Sequence, residues 1–331
     1  KTTTRLVPVI SEFDIIDRFF QKPTYNAIVG IGDDAAIVPA SQNTEFAIST
    51  DTLVSGKHFF PDVDPYKLGY KSLAVNLSDM AAMGAKPRWA LLALTLPKNL
   101  VAHDNAWLSE FSQGFFNLAS TYQVELIGGD TTAGPLNINV QIIGEVMRGK
   151  ALRRNNAQVG DDIWVSGQLG SAALALKHEL QQITLTPEEL SQCLPALLMP
   201  SARVELGQRL VNLAHSAIDI SDGLVADLGH VLKNSVTAAC INLQDIPCLP
   251  IIKKNLSQPL LRECLLSGGD DYELCFTASE KNRNAVELLG KELNLPLTRI
   301  GKILTGHQLI IKDHQGKLIL PDTRGYDHFI A

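Results

Sequence analysis

The sequence predicts an α+β protein of two domains, and three observations carry that prediction. Segments with strand and helix periodicity follow one another without the regular alternation that a doubly wound parallel sheet requires. The 331 residues, 45 % of them hydrophobic and 6 % aromatic, are enough for two packed cores of ordinary size. Between Gly149 and Gly160 the chain turns polar and basic, which places a domain boundary there and divides the protein into 1–150 and 151–331.

Taken in order, Ser11 can cap an amphipathic helix running to about Gln21. Ala27–Ile31, Ala35–Pro39 and Glu45–Thr50 read as short strands separated by turn residues. Asp64-Pro65 starts a helix, with Pro at its first position, that reaches about Ala82 and stops at Gly84. A strand (Arg88–Leu96), a helix (about His103–Tyr122), a strand ending in Gly128-Gly129-Asp130-Thr131-Thr132 and a strand at about Asn137–Met147 complete the first domain. The second reads as a strand (Asp162–Ser166), helices at about Ser171–Leu180, Pro187–Leu198 and Arg203–Leu213, and the loop Asp219-Ile220-Ser221-Asp222-Gly223 opening another helix. Gly268-Gly269-Asp270-Asp271 then leads into a strand (Tyr272–Thr277), a helix (about Glu280–Leu293) and closing strands.

Composition narrows the function. A formal charge of -6, with no Lys/Arg cluster, argues against a nucleic-acid partner and for small ones. Five cysteines without a Cys-x-x-Cys pair indicate neither a disulfide scaffold nor a zinc site, and fit a reducing cytoplasm. The longest apolar run, Trp89–Leu96, is far short of the roughly 20 residues that span a bilayer, and no signal-peptide core is evident, so no membrane is expected.

The chemistry lies in the acids. Val29-Gly30-Ile31-Gly32-Asp33-Asp34-Ala35 has the glycine spacing of a dinucleotide loop, yet two carboxylates there would repel a pyrophosphate. Either they sit in solvent or a cation sits with them. Asp79 lies on a helix, Lys71–Ala85, that is almost devoid of polar residues and should be buried nearly all round. Such a carboxylate must be protonated, hydrogen-bonded, with Asn76 one turn earlier as the candidate partner, or bound to a cation. Asp51, Asp130 and Asp219 each end an apolar strand, as turn residues do; several such acids on one sheet can also converge on a pocket. An oxygen-rich set without His or Cys selects Mg²⁺ or Mn²⁺, and a carboxylate-held Mg²⁺ usually partners phosphate.

Gly-x-x-x-x-Gly-Lys-Ser/Thr and the kinase His-Arg-Asp and Asp-Phe-Gly motifs are all missing, so a different ATP fold is required. Candidate phosphate contacts are the Gly128-Gly129 backbone, the Thr131 and Thr132 hydroxyls, and Arg153 or Arg154, unless that pair is solvated surface. His58, beside Phe59 and Phe60, is either structural or functional.

Together these stretches resemble the thiamine-monophosphate kinase family, of the superfamily that holds aminoimidazole ribonucleotide synthetase and selenophosphate synthetase. The matching segments are Gly30–Ala35, Ser49–Leu53, His58-Phe59, Ala74–Gly84, Gly128–Thr132, Asp219–Asp227, Gly268–Phe276 and Gly325–Phe329. The resemblance implies an N-terminal domain that binds ATP and metal and forms a homodimer through its strands, with a C-terminal α/β domain. It implies that ATP and thiamine monophosphate give thiamine diphosphate and ADP, assisted by several Mg²⁺ ions. Carried over by position, Asp34, Ser49, Thr50, Asp51, Asp79, Asp130, Asp219 and Asp222 are implied as metal ligands. Gly129, Asp130, Arg154 and Ser221 are implied as ATP contacts, and His58, Asp270 and Tyr326 as substrate contacts. Relatives often carry Glu at the position of Asp270, so the carboxylate is kept with a shorter reach. The acceptor oxygen is already ionised at neutral pH, so no catalytic base is assigned. The alternatives are another ATP-dependent synthetase of the superfamily or a metal-dependent phosphohydrolase. A selenophosphate synthetase would show a reactive Cys near its N-terminus, and none precedes Cys193.

Overall fold

The computed structural model describes residues 11–32, 35–101, 105–321 and 325. The chain divides into two compact units. One holds the chain up to Leu77 with Pro87–Glu145; the other holds Ser78–Lys86 and the chain from Val146 onward.

In the first unit, Ser11 and Asp14 cap helix α1 (Glu12–Ile15) reciprocally. Ser11 N–H donates to Asp14 Oδ2 at 3.0 Å and Asp14 N–H to Ser11 Oγ at 3.1 Å. The expected helix to Gln21 does not stay α-helical. From Ile16 to Phe20 it is a π turn, closed by Gln21 N–H on the Ile16 carbonyl, and this wider turn brings the neighbouring Phe19 and Phe20 both inward. In place of the short strands expected at Ala27–Ile31 and Ala35–Pro39, the described residues show isolated bridges, Val29 pairing with Ile37. Strand β1 (Thr44–Val54) is longer than expected. Helix α2 (Pro65–Ala82) has the expected bounds, with Asp64 Oδ1 accepting the Lys67 N–H at 3.0 Å. Then come β2 (Lys86–Leu96), α3 (Lys98–Val101), α4 (Ala106–Tyr122), β3 (Glu125–Ala133) and β4 (Asn137–Met147). The expected start of α4 at His103 lies outside the described residues.

The four strands form one sheet in the order β1-β4-β2-β3, with β2 and β3 parallel. Along β4, buried Ile138, Val140 and Ile142 alternate with partly exposed residues, so one face of the sheet meets the core. On β1 the other face keeps large apolar side chains in solvent: Phe46 is 44 % exposed and Ile48 60 %.

The second unit runs β5 (Asp162–Ser166), α5 (Ser171–Glu179), α6 (Pro187–Leu198), α7 (Val204–Leu210), β6 (Ala214–Asp219), α8 (Leu224–Ser235), β7 (Ala238–Asn242), α9 (Pro250–Lys254), α10 (Pro259–Ser267), β8 (Leu274–Ala278), α11 (Arg283–Glu292), β9 (Leu297–Leu304), β10 (Leu309–Lys312) and β11 (Leu318–Ile319). Its sheet has the order β11-β10-β7-β9-β5-β8-β6, and only β10 and β7 are parallel. This is the α+β arrangement that the irregular alternation of elements implied. Every residue of β5 and β8 is buried, Cys275 among them, and burial pushes its thiol up to about 12. No described helix is long and apolar enough to cross a membrane.

Candidate active site

Each unit presents its own group of candidate residues. In the first, Ser49, Thr50 and Asp51 lie in the middle of β1 rather than at a strand end, because pairing with β4 carries the strand on to Val54. Thr50 Oγ1 donates to the Val140 carbonyl at 3.1 Å. Asp130 likewise lies inside β3, opposite Ala93, and is exposed. These strands are the two edges of the sheet, with β4 and β2 between them. Preceding Asp130, Gly129 has φ +149° and a Cβ there would lie 1.8 Å from the Leu92 carbonyl oxygen. No other residue fits that close strand contact.

His58 ends a tight turn. Its Nδ1 accepts the Val54 N–H at 3.0 Å, which in the neutral ring puts the proton on Nε2. The structural role expected for this residue is thus visible: it closes the turn, and the turn fixes its tautomer. Asp34 and Tyr326 lie outside the described residues. Gly325, next to Tyr326, approaches the second unit's loop, since a Cβ on it would lie 2.9 Å from the Asp222 carbonyl oxygen.

The second unit gathers the rest. The end of α2 brings Ser78 and Asp79, and the end of β6 brings Asp219. Ser78, fully buried, donates to Asp219 Oδ2 at 2.8 Å. Asp79 itself is only half-buried, against the expectation of a helix buried all round, because it occupies the final turn. The Nδ2 of Asn76, its candidate partner, donates instead to the Ser72 carbonyl at 3.0 Å.

Asp219 is 3 % exposed and its carboxyl is pushed up to about 6. Burial is the main cause and the neighbouring Asp79 charge the next; the Ser78 bond and the Arg154 charge oppose them. Arg154 reaches this end of the sheet because Ala217 N–H donates to the Arg153 carbonyl at 3.3 Å along the edge of β6.

Beyond Asp219 the chain turns sharply into α8. Asp227 Oδ2 accepts the backbone N–H groups of Ser221, Asp222 and Gly223 at 3.0, 3.0 and 3.1 Å and so fixes the whole loop. Burial, then the Asp219 charge, push the Asp227 carboxyl up to about 7. The 268–272 segment is zipped onto this loop: Asp270 N–H donates to the Ser221 carbonyl at 2.9 Å and Tyr272 N–H to the Ile220 carbonyl at 2.8 Å. A Cβ on Gly269 would lie 2.5 Å from the Ser221 oxygen, so only glycine allows the two loops to meet. Asp219, Ser221, Asp222 and Asp270 are thus brought together.

Among the described residues no three His, Cys, Asp or Glu side chains are arranged to hold a metal ion. The donor set still suits a hard cation. All its atoms are oxygens, and Asp219 is held out of water facing a second carboxylate, a cost that a bound divalent ion relieves.

Asp227, Ser78 and Tyr272 took no role in the sequence reading. Asp227 alone left a signal, an acid in the first turn of a helix after a Ser-Asp-Gly turn.

The AIR synthase related protein families match this chain, the N-terminal domain over residues 32–146 and the C-terminal domain over 158–314. It is 44 % identical to the thiamine-monophosphate kinase of Buchnera aphidicola subsp. Schizaphis graminum, over 97 % of this chain and 99 % of that one. It is 43 % identical to the thiamine-monophosphate kinase of Escherichia coli K12, over 96 % and 98 %. Among solved structures, the thiamine-monophosphate kinase of Stenotrophomonas maltophilia superposes with a TM-score of 0.81 at 44 % identity, covering 92 % of this chain and 95 % of that one. AaThiL complexed with AMPPCP and TMP superposes at 0.75 with 30 % identity, over 99 % and 100 %. Likeness of this extent, through both domains, makes the chain a member of the thiamine-monophosphate kinase family.

Proposed function

We propose that this protein transfers the γ-phosphoryl group of ATP to thiamine monophosphate, giving thiamine diphosphate and ADP. The substrates come from the relatives; the chemistry rests on one observation of the site, the buried Asp219 facing Asp79 beside two joined loops. In the transfer, a phosphate oxygen of thiamine monophosphate bonds to the γ-phosphorus as the bond to the ADP oxygen breaks in line. That oxygen is already ionised, so no side chain has to remove a proton.

The obstacle is repulsion between two anions. Asp34, Ser49, Thr50, Asp51, Asp79, Asp130, Asp219 and Asp222 would hold Mg²⁺, which when bound offsets that repulsion and stabilises charge in the transition state. Gly129, with no side chain, lets the β3 backbone approach the nucleotide, and Asp130 and Ser221 contact it. Arg154, exposed beside β6, adds a cation for its phosphates. His58 in its fixed tautomer, Asp270 and Tyr326 recognise the thiamine end. The two domains follow 1–150 and 151–331.

The protein works as a homodimer in the cytoplasm. The solvent-facing Phe46 and Ile48 on β1 support an interface along that face of the sheet, and all five cysteines are free. Mass spectrometry of a mixture of protein, ATP, Mg²⁺ and thiamine monophosphate tests the reaction. Thiamine diphosphate and ADP should form in equal amounts; ADP with inorganic phosphate and no thiamine diphosphate would mean a phosphohydrolase.

A further inference from the structure

The segment that follows Gly269 alternates between anchored and strained residues. Asp271, buried, accepts the Gly170 N–H on both carboxylate oxygens at 3.0 and 2.9 Å. Glu273 is held by a two-pronged pair with Arg203, 2.7 Å from Nε and 2.5 Å from Nη2, and by the Ser166 hydroxyl at 2.5 Å. Between and before these anchors, Asp270 and Tyr272 have φ of +67° and +50°. Aspartate tolerates that region; a tyrosine rarely adopts it, and such outliers persist only where the surroundings enforce them. Here the surroundings are the two anchors and the two backbone bonds to Ser221 and Ile220.

What the strained backbone achieves is visible in one contact. The Tyr272 hydroxyl donates to Asp270 Oδ1 at 3.0 Å. We propose that Tyr272 is a positioning residue that aims the Asp270 carboxylate at the substrate and thereby sets affinity for thiamine monophosphate; this rests on the reading of Asp270 as a substrate contact. A phenol suits the task. It is a neutral donor, so it fixes the carboxylate without cancelling the charge offered to the substrate, as a Lys or Arg in its place would. Its ring is buried, so the hydroxyl has little freedom to follow a misplaced carboxylate.

Steady-state kinetics of Tyr272→Phe, Asp270→Ala and the double variant test this. Tyr272→Phe keeps the buried ring and should fold normally, with an unchanged thermal melt. Its KM for thiamine monophosphate should rise about tenfold, while kcat and the KM for ATP stay within about twofold. In the Asp270→Ala background, Tyr272→Phe should add nothing, because the hydroxyl acts only through that carboxylate. If the two single effects multiply in the double variant, Tyr272 acts on its own account and the proposal fails. It fails equally if Asp270→Ala raises the KM for thiamine monophosphate and Tyr272→Phe does not. Should Asp270→Ala leave that KM unchanged, the substrate-contact reading of Asp270 falls first and takes this inference with it.

Discussion

In the seven-stranded sheet two buried acids lie against opposite ends of β8, and the two behave oppositely. Asp162 opens β5 across from Ala278, and Asp219 ends β6 across from Leu274, so the two are offset by about 13 Å along β8. At the first end, burial alone would raise the Asp162 carboxyl. Arg283 outweighs it with bonds of 2.5 and 2.9 Å, helped by the Arg299 and Lys302 charges, and the carboxyl lies below the usual range. At the other end Asp219 has a serine and another aspartate, and is pushed up. Desolvation is common to both. The sign comes from the neighbours: an acid matched by arginines fastens the fold, whereas an acid facing another acid costs stability.

Four measurements can break that contrast. The largest effect concerns turnover. Asp219→Asn and Asp79→Asn should each lower kcat about 10²- to 10³-fold at saturating ATP, thiamine monophosphate and Mg²⁺, with the fold intact by circular dichroism. Near-normal turnover in both variants would strip this end of its role. At the opposite end, Arg283→Ala leaves Asp162 buried beside weaker partners. It should lower the midpoint of urea unfolding while kcat stays within about twofold, and the loss is tempered because the Arg283 side chain is 29 % exposed.

A third test reverses the usual direction. Asp219→Asn keeps an acceptor for Ser78 and removes a buried charge, so without Mg²⁺ it should stabilise the protein by about 1–2 kcal/mol; a loss of stability would show that the acid is matched after all. The smallest effect is one of pH. Because Asp162 is held below its unfolded value, its contribution is complete above about pH 4 and disappears as the pH falls through the folded value. Asp162→Asn should therefore flatten the acid limb of the stability curve, and an unaltered limb would assign that limb to other groups.

Much of this arrangement could be read from the sequence, for local reasons. Helix α2 announced itself through Asp64-Pro65, Gly84 and an apolar run, all signals within one element. The Asp219–Gly223 loop was legible because Ser, Asp and Gly follow a short apolar run. What could not be read depends on partners far along the chain. The local pattern ends a strand at Asp51 and at Asp130, but β1 and β3 continue past them because neighbouring strands supply hydrogen bonds that no local pattern encodes. Strand β7 is five residues without alternation, defined by pairing with β9 and β10. Asp227 became a loop anchor only once three N–H groups converged on one oxygen. The bond from Tyr272 to Asp270 required two positive φ angles that no sequence rule grants a tyrosine.

The sheet also carries its own stability gauge. Cys275 lies in β8 between Val165 and Ile218, and with burial pushing its thiol up to about 12 the reactive thiolate is scarce at neutral pH. An alkylating reagent can reach that sulfur only when the strands on both sides part. The labelling rate of Cys275, followed by peptide mass spectrometry, thus measures how often the centre of the second unit opens. Slower labelling on adding Mg²⁺ or nucleotide would report binding in the absence of any turnover.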